Sequence, residues 1–302
     1  MNHYKYKYKC ILGVLGAIVL LASCSPLKQT SAAGPNEKVV FFDDFNGNKL
    51  DNAKWNVEVT GMHFNNELQA YVDSSATIFI AHGAQAEGAA NGALVLQPRS
   101  APGFKTKDGQ SFDFISGRIN TKDKFEFTYG TAEARIKVTE GSGLWPAWWM
   151  LGTNGEWPAC GEIDIMEHVG EKDWASAAVH GPGYSGETPF VNRQYFPPNN
   201  DVTQWHTYAV DWTPDSLLFK YDGVLMFRIN RHMVEHYGKW AYDTPQFLML
   251  NYALGGAYPV KINNLKTPYL GMPQSTANMV KNNKVKMLVD WVRVTKRSDQ
   301  TR

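Results

Sequence analysis

The stretch Gly161-Glu-Ile-Asp-Ile-Met-Glu167 constrains this chain more than any other, because it sets three carboxylates at i, i+2 and i+5 among apolar residues, with no Lys or Arg to neutralise them. Ile163, Ile165 and Met166 read as strand, and along a strand successive side chains point to opposite faces. Glu162 and Asp164 then share a face, whereas a regular pleat sends Glu167 to the other. One extra residue, taken up as a β-bulge, returns all three acids to one side. A solvated acidic edge or a structural metal site is the plainer alternative. Flanking isoleucines, Met166 and Trp157-Pro158 argue against a solvated edge, and three like charges on an inward-leaning face cost stability unless something uses them.

Across such a bulge the two glutamate Cα atoms lie roughly 13 Å apart, four strand rises of ~3.3 Å. Side chains reaching inward leave about 5 Å between the carboxylates, the gap of a retaining pair at a glycosidic bond; an inverting pair is wider, to admit water.

The N-terminal residues read as a targeting segment. Lys5, Lys7 and Lys9 precede an apolar run, Ile11 to Ala22, too short to span a bilayer. The run ends in Leu21-Ala22-Ser23-Cys24, which resembles a bacterial lipobox. Residues 1–23 are therefore expected to leave as a signal peptide, with Cys24 lipidated and residues 24–38 forming a flexible tether. An ordinary secretory signal is the alternative. The expected location is across the inner membrane, anchored by lipid at the outer membrane or cell surface.

Residues 39–302 then form one domain. Cys10 and Cys24 leave Cys160 alone, so neither an intrachain disulfide nor a cysteine metal cluster is expected. A net charge of +1 gives no electrostatic case for nucleic acid, while 13% aromatic residues, ten of them Trp, suit an uncharged polymer that stacks on rings. Nothing points beyond a monomer.

Short alternating runs separated by turn residues predict an all-β chain. Val39–Phe45, Gly92–Pro98, Tyr129–Val138, Tyr208–Trp212 and Val285–Lys296 read as strands, and Leu217–Ile229 as a hairpin turning at Asp222-Gly223. Only Arg231–Tyr237 looks helical. Loops are expected at 60–66, 98–113 and 181–205, suited to the walls of a cleft. A two-sheet β-sandwich of jelly-roll type is the most economical architecture.

The chain resembles glycoside hydrolase family 16, in its laminarinase-like branch. The resemblance rests on Phe42-Asp-Asp-Phe-Asn-Gly, Asn66-Glu-Leu-Gln, Ser116-Gly-Arg-Ile-Asn-Thr-Lys, Gly143-Leu-Trp-Pro-Ala-Trp-Trp-Met-Leu, Trp157-Pro-Ala-Cys-Gly-Glu-Ile-Asp-Ile-Met-Glu, Val179-His-Gly, Leu250-Asn-Tyr-Ala-Leu-Gly-Gly and Val289-Asp-Trp-Val-Arg-Val, in that order. It implies a concanavalin A-like jelly roll with a concave substrate cleft, and retaining endo-hydrolysis of β-glucans with β-1,3 linkages, laminarin or mixed β-1,3/1,4-glucan. Glu162 is then the nucleophile, Glu167 the acid/base, and Asp164 the neighbour that sets their protonation. It also implies substrate contacts from Asn66, Arg118, Trp145, Trp149 and Trp157, with His180 as an orienting residue. Sandwich core is the competing reading for the tryptophans, and a salt bridge for Arg118. No catalytic cofactor is implied. A structural calcium is, held by Asp290 with oxygens near Asp44 and Gly92, although Asp44 stands where many relatives carry glutamate. Two other functions remain open on the same scaffold, a surface glycan-binding protein that does not cut and a transglycosylase.

Overall fold

The computed structural model describes residues 36–297. Cys24 and the expected signal peptide lie outside the described residues, as do most of the tether and residues 298–302. The expected tether ends early, because Glu37 and Lys38 already belong to the first strand.

Two eight-stranded sheets stack face to face. One runs in the order β17 (Val224–Asn230), β16 (Ser216–Tyr221), β15 (His206–Trp212), β10 (Gly130–Val138), β19 (Met287–Arg297), β5 (Ala93–Leu96) and β4 (Ile78–Ala81), with β1 (Glu37–Asp43) also on β19. The other runs β14 (Phe190–Tyr195), β13 (Trp174–His180), β12 (Glu162–Glu167), β11 (Leu144–Gly152), β18 (Gln246–Leu254), β8 (Arg118–Asn120) and β2 (Asn56–Val57), with β9 (Glu126–Phe127) on β18. The all-β jelly-roll sandwich expected from the alternation is the fold observed.

The strand pattern explains the layers. In β10, Ala132, Ala134, Ile136 and Val138 are buried while the residues between them are partly exposed, so one face enters the core. In β11, Trp148 and Met150 are fully buried, whereas Trp145, Trp149 and Leu151 face the other way. Ile163, Ile165 and Met166 sit in the same core at no measurable exposure. Each such side chain contributes about 1.5–3 kcal/mol by leaving water. That sum holds the register of β12 against a slip that would turn its acids inward.

Three features depart from the expected elements. Residues 98–113 are not a loop: β6 (Arg99–Lys105) and β7 (Ser111–Ser116) form a hairpin, and β3 (Gln69–Tyr71) pairs parallel with β7 to make a small third sheet. Residues 181–205 contain β14. Besides α1 (Arg231–Glu235), capped by Asn230 Oδ1 accepting from Met233 N at 2.9 Å, there are two further helices among the described residues, α2 (Ala257–Asn263) and α3 (Gln274–Lys281). Neither announces itself with a side-chain N-cap, and α2 contains Pro259, so its pattern reads as loop. The hairpin at Asp222-Gly223 is as expected, with both residues at positive φ (50° and 77°).

Candidate active site

The register of β12 against its neighbours places the acids. Glu162 lies opposite Leu151, Asp164 opposite Trp149 and Glu167 opposite Ala147. Those three β11 residues are two apart and share a face, so their partners do too. Between Asp164 and Glu167 the pairing shifts: Met166 faces Trp148, and Ile165 is the extra residue. The other flank agrees, with Glu162, Asp164 and Glu167 opposite His180, Ala178 and Ser176 of β13. The bulge inferred from the spacing is present, and all three acids line one cleft of about 940 Å³.

The cleft crosses the strands from Phe64, Arg118 and Trp149 at one end to Arg193 and Tyr195 of β14 at the other. Two indoles hold the glutamates: Trp157 Nε1 donates to Glu162 Oε2 at 2.6 Å, and Trp145 Nε1 donates to Glu167 Oε1 at 2.9 Å. Trp157 is 49% exposed, which leaves its ring free for a ligand. Trp149 Nε1 donates to Asn251 Oδ1 at 2.7 Å, and the Arg118 guanidinium lies 5.1 Å from the Trp149 ring centre. Of the tryptophans in this region, the one that fills the core is Trp148. Arg118 forms an ion pair with Glu58 at 3.0 Å and also lines the cleft.

His180 faces Asp164, its Nε2 3.3 Å from Oδ2, though not aligned as a hydrogen bond. Gly186 N–H donates to its Nδ1 at 3.2 Å, so the neutral ring carries its proton on Nε2, toward the acids. One ligand atom each from Glu162, Asp164 and His180 lie within 4.8 Å of one another, so these residues could hold a metal as well as share protons.

Burial and mutual repulsion raise every carboxyl here. Burial pushes Glu162 up to about 8, with the Asp164 charge adding to it and His180 and Trp157 opposing. Burial raises Glu167 to about 7, opposed by His180 and by the Trp145 N–H. Asp164, innermost and 4% exposed, is raised well above the usual range by burial and then by Glu167. The hydrogen bond shared by Glu162 and Asp164 raises Glu162 and lowers Asp164, whereas the Trp157 N–H favours the Glu162 carboxylate.

Asn66 does not reach the cleft. Asn65 and Asn66 both have left-handed backbone (φ 49° and 58°), so the turn diverges there: Asn65 and Glu67 line the cleft, while Asn66 lines a smaller cavity beside Phe112. Sequence reasoning missed Glu67, Asn251 and Tyr258. Glu67 accepts from Gln69 and Tyr71, and Asn251 links Tyr71 to Trp149, so a buried polar chain braces that end of the cleft. A lone Glu and Asn inside the quoted motifs were the available signal.

Asp290, the aspartate expected to hold calcium, already has a donor on each carboxylate oxygen. Asp290 is fully buried and accepts from Arg135 Nη1 at 2.6 Å and from Ala90 N–H at 2.8 Å. Asp44 accepts from Asn91 Nδ2 at 2.8 Å. A Cβ on Gly92 would fall 2.4 Å from the Phe45 carbonyl oxygen, so packing accounts for that glycine. A guanidinium and an N–H thus occupy the two Asp290 oxygens that a hard cation would need.

The family profile described as "Glycosyl hydrolases family 16" matches residues 81–291. The chain is 33% identical to the "Beta-glucanase" of Rhodothermus marinus over 79% of its own length and 83% of that protein. It is 31% identical to the "Glucan endo-1,3-beta-glucosidase A1" of Niallia circulans over 87% of its own length, but spans only 38% of that protein. Among solved structures, the laminarinase catalytic domain of Thermotoga maritima superposes with a TM-score of 0.72 at 32% identity, covering 86% of this chain and 98% of that one.

Proposed function

Because the chain belongs to glycosyl hydrolase family 16, we propose that it is an endo-acting β-glucanase, cutting β-1,3-containing glucans with retention of configuration. The observation that carries this reading is the bulge that turns Glu162 and Glu167 into one cleft. Laminarin-type β-1,3-glucan is the preferred substrate, with mixed β-1,3/1,4-glucan second. The near-zero net charge and the indole-lined cleft suit a neutral polymer.

Glu162, in the carboxylate form that the Trp157 N–H favours, attacks the anomeric carbon. Glu167, kept protonated by burial, gives its proton to the departing glycosidic oxygen. A glycosyl ester on Glu162 results. Glu167, now a carboxylate held by Trp145 N–H, takes a proton from water as that water attacks the anomeric carbon and breaks its bond to the Glu162 oxygen. The second displacement restores the original configuration, returns the Glu162 carboxylate and leaves Glu167 protonated. His180, with Nε2–H turned to Asp164, steadies the charge of the group while the proton moves between Glu167 and the sugars.

The test is product analysis on laminarin, mixed-linkage glucan and agarose side by side, with Glu162→Ser as control. Release of reducing ends from the glucans by the native protein alone supports the reading. Binding without release assigns the cleft to glycan capture, and chain lengthening at high acceptor concentration assigns it to transglycosylation.

A further inference from the structure

Helix α2 and the turn between β13 and β14 approach the cleft from opposite ends of its strands. The turn leaves β13 beside His180, level with Glu162. Helix α2 follows β18, whose last residue, Leu254, is level with Leu144 of β11 and so lies beyond Glu167. Nevertheless Lys261 of α2 meets Glu187 of the turn, its Nζ 3.0 Å from the carboxylate and 3.2 Å from the Glu187 carbonyl oxygen. Both side chains line the cleft, so the pair spans it parallel to the strands. Tyr258 fixes where the span falls. Its hydroxyl is 3.2 Å from Ser176 Oγ on β13, and its ring packs edge-on against Trp145. Glu187 belongs to the β13–β14 turn and Tyr258 also interacts with Arg193 of β14, so the crossing falls on the β13–β14 side, away from Arg118 and Trp149.

We propose that Glu187 and Lys261 form a specificity-determining strap that limits how many sugar units the β13–β14 half of the cleft accepts. The proposal rests on the glucanase reading and deepens it. A glycan lying across the strands passes the glutamates and then meets the pair. Cleavage consequently favours short products from the segment on that side. The turn is built to fold over: Gly183 sits at φ 96°, where a Cβ would fall 2.4 Å from the Tyr237 carbonyl oxygen, and Gly186 at φ 59° donates to His180. An exposed ion pair is weak, so the strap yields to a long chain at modest cost and biases product length without sealing the cleft.

Two measurements test this. Carbodiimide treatment of the full protein, which condenses a touching carboxylate and amine to an amide with loss of water, is expected to give a Glu187–Lys261 crosslink by peptide mass spectrometry; its absence overturns the strap whatever the substrate. On laminarin, Glu187→Ala and Lys261→Ala are each expected to lengthen the products and lower the polymer KM by about two- to fivefold, the range a surface pair supplies. The exchanged pair, Glu187→Lys with Lys261→Glu, is expected to restore the native product lengths. Native product lengths in both single variants overturn the strap. Absence of cleavage of any glucan by the native protein instead overturns the glucanase reading, and the crosslink then decides the strap alone.

Discussion

Glu167 lies opposite Ala147 although it is three residues beyond Asp164, and Ala147 is only two residues from Asp164's partner Trp149. That mismatch of one residue is the bulge. It keeps Ile163, Ile165 and Met166 in the core while both glutamates face the cleft.

Removing the extra residue leaves the acids at i, i+2 and i+4, which a regular strand also presents on one face. Deletion of Ile165 is therefore expected to keep kcat/KM within about tenfold, a barrier change of ~1.4 kcal/mol. Insertion of one alanine between Ile165 and Met166 is expected to abolish turnover by widening the gap between the glutamates. The deletion also removes a buried side chain and costs about 2–4 kcal/mol of stability. Kinetics on laminarin with urea unfolding checks both halves.

Glu167→Gln removes the proton donor and is expected to lower kcat by about 10²–10⁴-fold, less for aryl glycosides whose leaving group needs no proton. In the native protein the alkaline limb of kcat/KM is expected near the value of about 7 to which burial raises Glu167.

The same raised carboxyls make stability depend on pH. Between the unfolded value of 4.5 and the folded value of about 7 the native state holds the Glu167 proton and the unfolded state does not. Their contribution is thus fully present below pH 4.5 and is lost as pH rises through the folded value. Glu167→Gln, which stays neutral, is expected to melt a few degrees above the native protein at pH 8, roughly 2–4 °C per kcal/mol, and to lose that advantage at pH 4. Calorimetry at the two pH values decides this.

Arg135 neutralises a carboxylate that has no exposure to water. Arg135→Ala leaves Asp290 charged and unpaired and is expected to cost about 3–5 kcal/mol. A chelator is expected to leave the melting temperature of the native protein unchanged. A drop restored by calcium would show that a cation displaces the guanidinium.

Cys24 lies outside the described residues. Its lipobox context leads to the expectation that the full chain takes up labelled palmitate in a bacterial host and partitions with membranes, and that Cys24→Ala does neither.

By itself the sequence determined the periodicities and the local chemistry. Alternation in β10 announced a half-buried strand, Asp222-Gly223 a hairpin, and the i, i+2, i+5 acids a bulge, because each is a property of neighbours along the chain. Only the tertiary structure decided which of three adjacent tryptophan sites faced the core, that Asn66 turns from the cleft while Glu67 enters it, and that Asp290 belongs to Arg135. Those outcomes depend on which distant backbone lies opposite, and on which donor reaches a buried oxygen first. Such information arises when the sheets stack, and α2, with no cap to mark it and its partner Glu187 far away in sequence, shows the same limit.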